Sequence, residues 1–405
     1  MNGKHLLGVA LAAALVLGLG VQAGAGGFFF KDGDTVVVMG DSITEQHLYS
    51  NYLEAWTLMR FPAWKITFHN VGIGGDTSGG GNGRFARDVT EYKPTVLTVD
   101  FGMNDGGYGG FDKGRFDAYM AGLTGIAKQA KANKLRVAWI TPSPVEKNEN
   151  GKAIEGYNQT LERFCQGMKQ IAHASGGLFV DQFHPCLAVQ DKARATDPAK
   201  RVGGGDAVHF GPPGQAVMAA AILKGLGFPT LVAAVELDAK GKVLKSDNCK
   251  ITDASAAGGG LKFTQLDQAL PFFPAEAESI LAFAPIRDEL NLYTLKVSGL
   301  AAGKYDVKLG DAVVAQYTNV QLAAGVNLAE PALKAGPVAD QVQAVWAAIK
   351  GKNQFNHDQI YRGLILNNST DKAKIESLRD EVAKKDAEIQ KLRVIAPHTV
   401  EILPA

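Results

Sequence analysis

The stretch Thr35-Val-Val-Val-Met-Gly40-Asp41-Ser42-Ile-Thr44 joins a short apolar run to glycine and polar residues. Such a run is typical of a strand buried in a parallel sheet, and the residues after it indicate a turn into a helix over 44–59. Apolar runs alternate with helical patterns in this way up to about Pro229, which predicts βαβ units and an α/β domain. The predicted strands are Thr35–Met39, Ile66–Val71, Thr95–Phe101, Leu135–Thr141 and Leu178–Val180.

Loops rich in glycine and polar residues follow four of these strands, at 40–42, 72–75, 102–105 and 141–144. They lie at the carboxyl edge of the predicted sheet, where ligands bind in open α/β proteins. In the first loop, the Ser42 hydroxyl would lie at this edge, and its N–H would lie at the positive end of a helix, where a developing oxyanion is stabilised. Helix capping by Asp41 and Ser42 would explain the same pattern without catalysis.

A candidate base and two further hydrogen-bond donors occur elsewhere in the sequence. His209 follows Asp206 by three residues, just before a helix predicted over 213–226, so both side chains can lie on one side of a short turn. Such a histidine can take the serine proton, and the carboxylate can orient the ring and stabilise the imidazolium. The Gly75 N–H and the Asn104 amide, together with the Ser42 N–H, could form a three-donor site for the oxyanion of an acyl intermediate.

These four blocks resemble the motifs of the SGNH (GDSL) hydrolase family, in the same order. Gly40-Asp41-Ser42 resembles the nucleophile motif, and Asp206-Ala-Val-His209 resembles the final Asp-x-x-His. The two blocks between them are Asn70-Val-Gly-Ile-Gly-Gly75-Asp-Thr77 and Gly102-Met-Asn104-Asp105. The resemblance covers residues 34–227, about half of the chain. It implies a flavodoxin-like α/β/α sandwich and ester hydrolysis through a serine acyl-enzyme, with neither metal nor cofactor.

The second half of the chain has a different pattern. Hairpin-like strands are predicted at Val235–Leu237 with Lys242–Leu244, and at Tyr293–Val297, Tyr305–Leu309 and Val313–Tyr317, with 299–305 as a hairpin turn. Helical patterns return from about Pro337 and end in a helix over Asp371–Arg393. Its apolar heptad positions indicate either docking on the same chain or dimerisation. We therefore expect a catalytic domain over 26–229, a β-rich region over 230–336 and a helical region over 337–405.

The N-terminus and the cysteines bear on the compartment. Residues 1–25 combine Lys4 and His5 with an apolar stretch and the small residues Ala23-Gly-Ala25, a pattern typical of a cleaved export signal; an uncleaved anchor is the alternative. A secreted or periplasmic location is expected. Cys165 and Cys186 could then form a disulfide with Cys249 free, although three pairings exist for three cysteines.

The balance of charge limits the partners. The 405 residues include 42 Lys+Arg and 41 Asp+Glu, and a net charge of +1 provides no field to hold nucleic acid or an anionic membrane. Glycines 79–81 and 83 lack dinucleotide-binding spacing and are expected to loosen a loop. The histidines other than His209 have no metal-ligand spacing. No cofactor, metal or insertion of the mature chain into a membrane is expected.

The expected activity is serine-dependent hydrolysis of acetyl esters on a small molecule, carbohydrate or cell-wall polymer. The absence of a long apolar run for an acyl tail and the strand-rich second region favour this substrate class over lipids. A lipid esterase, an acyltransferase and a glycan-binding module with little or no activity stay open as alternatives. Tyr108 and Phe111, in a glycine-rich loop after Asn104, could form a substrate wall or pack inside the domain, as could Tyr49 and Trp56.

Overall fold

The computed structural model describes residues 27–146 and 156–405. The predicted signal peptide at 1–25 lies outside the described residues. The N-terminal domain contains a five-stranded parallel sheet in the order β2-β1-β3-β4-β5, which confirms the predicted fold class. Its strands are β1 (Thr35–Gly40), β2 (Thr67–Asn70), β3 (Val96–Asp100), β4 (Arg136–Ile140) and β5 (Leu178–Val180).

Helices cover both faces of this sheet because successive residues of β1 point to opposite sides. Val36 and Val38 pack in a core with the second and seventh helices, whereas Val37 and Met39 pack in a core with the third, fourth and fifth. The result is a three-layer α/β/α sandwich. The helices are α1 (Ser42–Glu45), α2 (Leu48–Arg60), α3 (Ser78–Asp88), α4 (Lys113–Ala132), α5 (Tyr157–Ser175), α6 (Phe183–Thr196) and α7 (Pro212–Gly225).

The prediction of one continuous helix over 44–59 is wrong, because a turn separates two helices, α1 and α2, in this segment. His47 adopts a left-handed backbone conformation with φ of 62°. The Thr44 carbonyl accepts a hydrogen bond from the Asn70 side chain (2.6 Å) and another from the His47 N–H (3.0 Å). A tight turn therefore replaces the regular helical pattern, and Ser42 is the first residue of its own short helix.

The second half contains two further sheets. One has the order β13-β10-β6-β7 and the other β12-β11-β14-β9-β8. The strands are β6 (Leu231–Asp238), β7 (Val243–Asp247), β8 (Cys249–Ala257), β9 (Gly260–Asp267), β10 (Leu292–Ser298), β11 (Lys304–Leu309), β12 (Ala312–Thr318), β13 (Val326–Asn327) and β14 (His398–Pro404). The short helices α8 (Ile286–Leu290), α9 (Asn319–Ala324) and α10 (Ala329–Lys334) connect them.

The hairpin turn predicted at 299–305 is wrong. Strand β10 pairs in parallel with β6, where it buries Tyr293, Leu295 and Val297, whereas β11 pairs with β12 and β14 in the other sheet. The segment between β10 and β11 is therefore a crossing between sheets. The predicted hairpins β6–β7 and β11–β12 are antiparallel pairs, and Gly310 with φ of 61° forms the turn of the second.

The C-terminal helices pack on the N-terminal domain. Helix α11 (Pro337–Phe355) continues without interruption as a π-helix over Asn356–Ile365 and is followed by α12 (Lys372–Leu392). The buried Lys352 ammonium lies 2.5 Å from Glu54 Oε1 on α2 and 3.0 Å from Asp386 Oδ1 on α12. The apolar face of α12 buries Val382 and Ile389 against its own chain.

The last strand, β14, returns to the β-rich region, where it lies between β9 and β11. The predicted domain boundary at residue 336 stays a prediction. Strand β14 comes after this boundary in the sequence but pairs with strands that come before it. None of the helices in 27–146 and 156–405 is both long and apolar enough to cross a membrane.

Candidate active site

Ser42 lies at the carboxyl edge of the parallel sheet, where β1 turns into α1. The turn requires glycine at position 40, because a Cβ there would lie 2.7 Å from the Asp100 carbonyl oxygen. Asp41 caps α1, and its Oδ1 accepts a hydrogen bond from the Ile43 N–H at 3.0 Å. The capping interpretation therefore applies to Asp41, which leaves the Ser42 side chain available for another partner.

That partner is His209. The Ser42 Oγ lies 2.8 Å from His209 Nε2, and His209 Nδ1 lies 3.0 Å from Asp206 Oδ2. Asp206 also accepts hydrogen bonds at Oδ1 from the His209 N–H (2.6 Å) and the Val208 N–H (2.8 Å). The structure thus brings together, in one line of contacts, the three residues that the sequence predicted as nucleophile, base and orienting acid.

The ionisation of the two aspartates beside Ser42 differs because their burial differs. Burial raises the pKa of Asp206, but hydrogen bonds from the His209 backbone and side chain and from Val208 outweigh it and hold this pKa below its usual value. An ionised Asp206 accepts the proton of Nδ1, which leaves Nε2 to accept the Ser42 hydroxyl. Burial raises the pKa of Asp41 to about 7, so this carboxyl is partly neutral at neutral pH.

Glutamine side chains fix the segment that carries His209. The Phe210 carbonyl accepts hydrogen bonds from Gln215 Nε2 on α7 (3.0 Å) and from Gln46 Nε2 (3.2 Å). Gln215 also accepts the Tyr49 N–H of α2 at 2.9 Å. The catalytic histidine candidate is therefore tied to the first turn of α2, a few residues after Ser42.

The two predicted oxyanion donors follow β2 and β3. Gly75 is exposed and has φ of 73°, a conformation that favours glycine. Asn104 Nδ2 donates to the Asp76 carbonyl at 2.9 Å, while Asn104 Oδ1 accepts from the Tyr108 hydroxyl at 2.8 Å. These two contacts orient the Asn104 amide and link its loop to the loop that contains Gly75.

Tyr108, which is hydrogen-bonded to Asn104, and Phe111 form one wall of a cavity whose lining does not include Ser42 or His209. The cavity has a volume of about 360 Å³ and is also lined by Tyr157, Thr160 and Arg163. The Tyr108 side chain is 39% exposed and stacks on Tyr157 with 5.2 Å between ring centroids, and Phe111 is 49% exposed. In contrast, Tyr49 and Trp56 are buried in the core of the domain, which settles their two interpretations in favour of packing.

Comparisons with known proteins identify relatives of the domain that contains these residues. The model of the GDSL-like lipase/acylhydrolase family matches residues 38–217. An acetylxylan esterase from Geobacillus stearothermophilus is 26% identical over 218 residues, which cover 48% of this chain and 95% of that protein. The domain over residues 38–217 belongs to the SGNH (GDSL-like) hydrolase family. It is a carboxylic ester hydrolase.

Solved structures extend the likeness to the second half. A gut microbial diltiazem-metabolizing enzyme is 24% identical, with a TM-score of 0.83 over 93% of this chain and 98% of that chain. At this identity the match shows the fold alone, and it includes the β-rich region and the C-terminal helices. The crystal structure of the Geobacillus acetylxylan esterase covers 49% of this chain and 96% of its own, with 25% identity and a TM-score of 0.42.

In this SGNH hydrolase, the glycines predicted to loosen a loop lie in helix α3 instead, so that prediction is wrong. A Cβ at Gly81 would lie 2.6 Å from the Phe101 ring, and one at Gly122 of α4 would lie 2.5 Å from the Gly79 nitrogen. The glycines therefore allow α3 to pack closely on α4 and on the sheet.

The disulfide between Cys165 and Cys186 that the sequence allows does not form. Cys165, Cys186 and Cys249 are all free and buried. Burial raises the pKa of the Cys165 and Cys186 thiols, so neither is ionised at neutral pH. Within 27–146 and 156–405, no group of three or more His, Cys, Asp or Glu side chains is arranged to hold a metal ion.

Sequence reasoning missed Arg84, a buried residue that ties the motif loops of the hydrolase together. Its guanidinium donates to the carbonyls of Gly40 (3.1 Å) and Val71 (2.6 Å), and its Nε pairs with Asp76 Oδ2 at 2.7 Å. It is one of two arginines in a short glycine-rich helix, and nothing in the local sequence distinguishes it from a surface cation.

Proposed function

We propose that this hydrolase cleaves acetyl esters of a carbohydrate through an acyl-enzyme formed on Ser42. The observation that carries the mechanism is the 2.8 Å contact between Ser42 Oγ and His209 Nε2. A histidine at this distance can take the hydroxyl proton as the nucleophile attacks. Asp206, held ionised, orients the ring and stabilises the imidazolium that forms.

The reaction then has two steps, acylation of Ser42 and hydrolysis of the acetyl-serine. Ser42 Oγ bonds to the ester carbonyl carbon, its proton passes to His209 Nε2, and the carbonyl oxygen becomes an oxyanion. In this mechanism the N–H groups of Ser42 and Gly75 and the Asn104 amide donate hydrogen bonds to that oxygen. The C–O bond to the alcohol breaks, and the alcohol leaves with the proton from His209. Water then cleaves the acetyl-serine in the same way and releases acetate.

The replacement Ser42→Ala tests this mechanism in a chromogenic acetyl ester assay. We expect a fall in kcat of about 10³-fold or more, because the covalent step is lost. Ser143→Ala is the matched control, since Ser143 is a buried serine at the same sheet edge whose Oγ has no hydrogen-bond partner among the described residues. The control should keep full activity. Undiminished hydrolysis by Ser42→Ala would contradict the mechanism.

The proposed substrate class rests on two observations. The Geobacillus relative, 26% identical, is an acetylxylan esterase. The exposed rings of Tyr108 and Phe111 line a cavity, the Tyr108 hydroxyl donates to Asn104 Oδ1, and aromatic faces stack well on the apolar faces of sugars. We place a sugar ring of the substrate in this cavity.

A substrate panel tests the class. Values of kcat/KM should be highest for acetylated xylo-oligosaccharides and should fall as the acyl chain of simple esters lengthens, because specificity is a difference in transition-state binding. Phe111→Ala should lower kcat/KM for the oligosaccharides by about tenfold and leave a small chromogenic acetate within about twofold. A preference for long acyl chains would indicate a lipid esterase, and ester formation with an added alcohol would indicate an acyltransferase.

We also propose that the enzyme acts outside the cytoplasm, on the pattern of charged, apolar and small residues in 1–25. Mass spectrometry of the mature protein from the periplasm or the medium tests this. Loss of about 25 N-terminal residues would support export, and an intact chain confined to the cytoplasm would contradict it.

A further inference from the structure

The π-helix over Asn356–Ile365 reaches the active site from the C-terminal half of the chain. Its Tyr361 side chain contacts the buried side of the motif loops, and its His357 and Arg362 side chains lie near the helix that begins at Ser42. π-helical segments are rare and often occur at functional sites. Nothing in the proposed chemistry uses these side chains directly, so their placement requires a separate explanation.

Tyr361 is in contact with the arginine that joins the motif loops. Its hydroxyl accepts a hydrogen bond from Arg84 Nη1 at 3.0 Å and lies 2.9 Å from Asp88 Oδ2. It also lies 3.2 Å from the Val71 carbonyl oxygen, directly before the glycine loop 72–75. The ring is buried, with 1% of its surface exposed.

Arg84 links Tyr361 to both sides of the active site. The same guanidinium binds the Gly40 carbonyl, two residues before Ser42, and the Asp76 carboxylate, one residue after Gly75. The loop 72–75 is therefore held at its beginning and its end by a network that includes Tyr361. A buried network of this kind keeps its geometry only while every partner is present.

A second contact holds the middle of the loop. Glu45 Oε2, on the helix of Ser42, accepts a hydrogen bond from the Gly74 N–H at 2.7 Å. Glu45 Oε1 lies 3.7 Å from His357 Nε2 and 3.7 Å from Arg362 Nη2. The π-helix thus lies behind the carboxylate that fixes the residue next to Gly75.

We propose that the segment 356–365 is a positioning element for the oxyanion site, an inference that rests on the serine mechanism proposed above but on no particular substrate. Tyr361 acts through Arg84, and His357 acts through Glu45, to hold the Gly75 N–H where it meets the oxyanion. Displacements of about 1 Å in such donors lower rates strongly, because their effect depends on preorganised geometry. The C-terminal helices are then part of the catalytic unit.

The replacement Tyr361→Phe, in the full chain, removes only the hydroxyl of this network. We expect kcat for a chromogenic acetate to fall about tenfold with KM within about twofold, because the loss concerns the transition state. Inhibition by ethylboronic acid, whose serine adduct is tetrahedral like the intermediate, should weaken by the same factor. Tyr305→Phe is the matched control: Tyr305 is as buried, and its hydroxyl donates to the Ala301 carbonyl in the distant β-rich region.

A second pair of variants tests the Glu45 contact without altering the C-terminal half. Glu45→Ala should lower kcat about tenfold, and Glu45→Gln should recover most of it, because the amide oxygen can still accept the Gly74 N–H. Melting temperatures of all variants identify any that fail to fold.

The outcomes separate this inference from the mechanism on which it rests. An active wild type with unchanged kcat and boronate inhibition in Tyr361→Phe would overturn the inference alone. An equal loss in Tyr305→Phe would also overturn it, by showing general destabilisation. An inactive wild type that does not bind the boronate would overturn the serine mechanism itself.

Discussion

Two Asp-x-x-His turns in this hydrolase have the same internal geometry and different surroundings. In one, Asp206 accepts from the His209 N–H at 2.6 Å and lies 3.0 Å from Nδ1. In the other, Asp181 accepts from the His184 N–H at 3.1 Å and lies 2.7 Å from Nδ1. The first of these turns lies shortly before a helix, and the second overlaps the beginning of one. Both are partly exposed. What differs is the atom that faces Nε2.

That atom determines the chemistry of each histidine. His209 Nε2 faces the Ser42 hydroxyl at 2.8 Å, which has a proton to give. His184 Nε2 faces the Glu162 carboxylate at 2.9 Å, which can only accept a hydrogen bond while ionised. The Asp-x-x-His sequence therefore establishes an oriented imidazole, and in the proposed mechanism the third partner determines whether it acts as a base.

The pKa of His184 reflects its two carboxylates. Burial lowers this pKa, but the hydrogen bonds and charges of Asp181 and Glu162 outweigh burial and raise it above its usual value. The Glu162 carboxylate gives His184 Nε2 no hydroxyl or thiol to deprotonate. The second turn thus serves as an internal control for the first.

The largest expected difference is between His209→Ala and His184→Ala. The first should lower kcat for an acetyl ester by about 10⁴-fold, because no other described group is within reach of the Ser42 proton. The second should leave kcat within about twofold. Steady-state rates on a chromogenic acetate measure both, with melting temperature as the check on folding. Comparable losses in the two variants would show that the turns are not distinguished by their third partner.

A smaller difference is expected between Asp206→Asn and Asp181→Asn. Loss of the Asp206 charge removes the preference for Nδ1–H and the stabilisation of the imidazolium, so kcat should fall about 10²-fold. The fall should be less than for a buried acid, because the Asp206 side chain is 64% exposed and water screens its charge. Asp181→Asn should retain wild-type kcat. The same assay measures both variants. Full activity of Asp206→Asn would show that His209 does not require an orienting acid.

The contrast also explains how much of the site could be predicted. The five strands of the parallel sheet are found within about one residue of their predicted bounds, because short apolar runs bounded by glycine are a strong local signal. The four motif loops share a sheet edge because parallel strands place all their carboxyl ends together. Ser42, Gly75, Asn104, Asp206 and His209 could therefore be named from the sequence, with their catalytic roles remaining proposals.

Other features depend on contacts between distant segments, which no local pattern contains. Glycines 79–81 and 83 lie in a helix that packs on α4 and on the sheet, and a Cβ at Gly81 would meet the Phe101 ring. The crossing at 299–305 depends on pairing of β10 with β6, about 60 residues earlier. Arg84 joins the motif loops to Tyr361, which is 277 residues away. Local propensity cannot specify contacts of this range.

The smallest expected effect concerns the Glu162 side of the comparison. Because the Glu162 charge helps to raise the pKa of His184, Glu162→Gln should lower this pKa, which an NMR titration of the imidazole measures. A raised pKa in the folded state stabilises the protein below the unfolded pKa of about 6.5, and this contribution is lost as the pH rises through the folded value. The wild type should therefore be more stable than Glu162→Gln at pH 5–6, with the two converging once the pH exceeds the folded values of both proteins, while kcat stays unchanged. An unaltered His184 titration would remove Glu162 as the reason the two histidines differ.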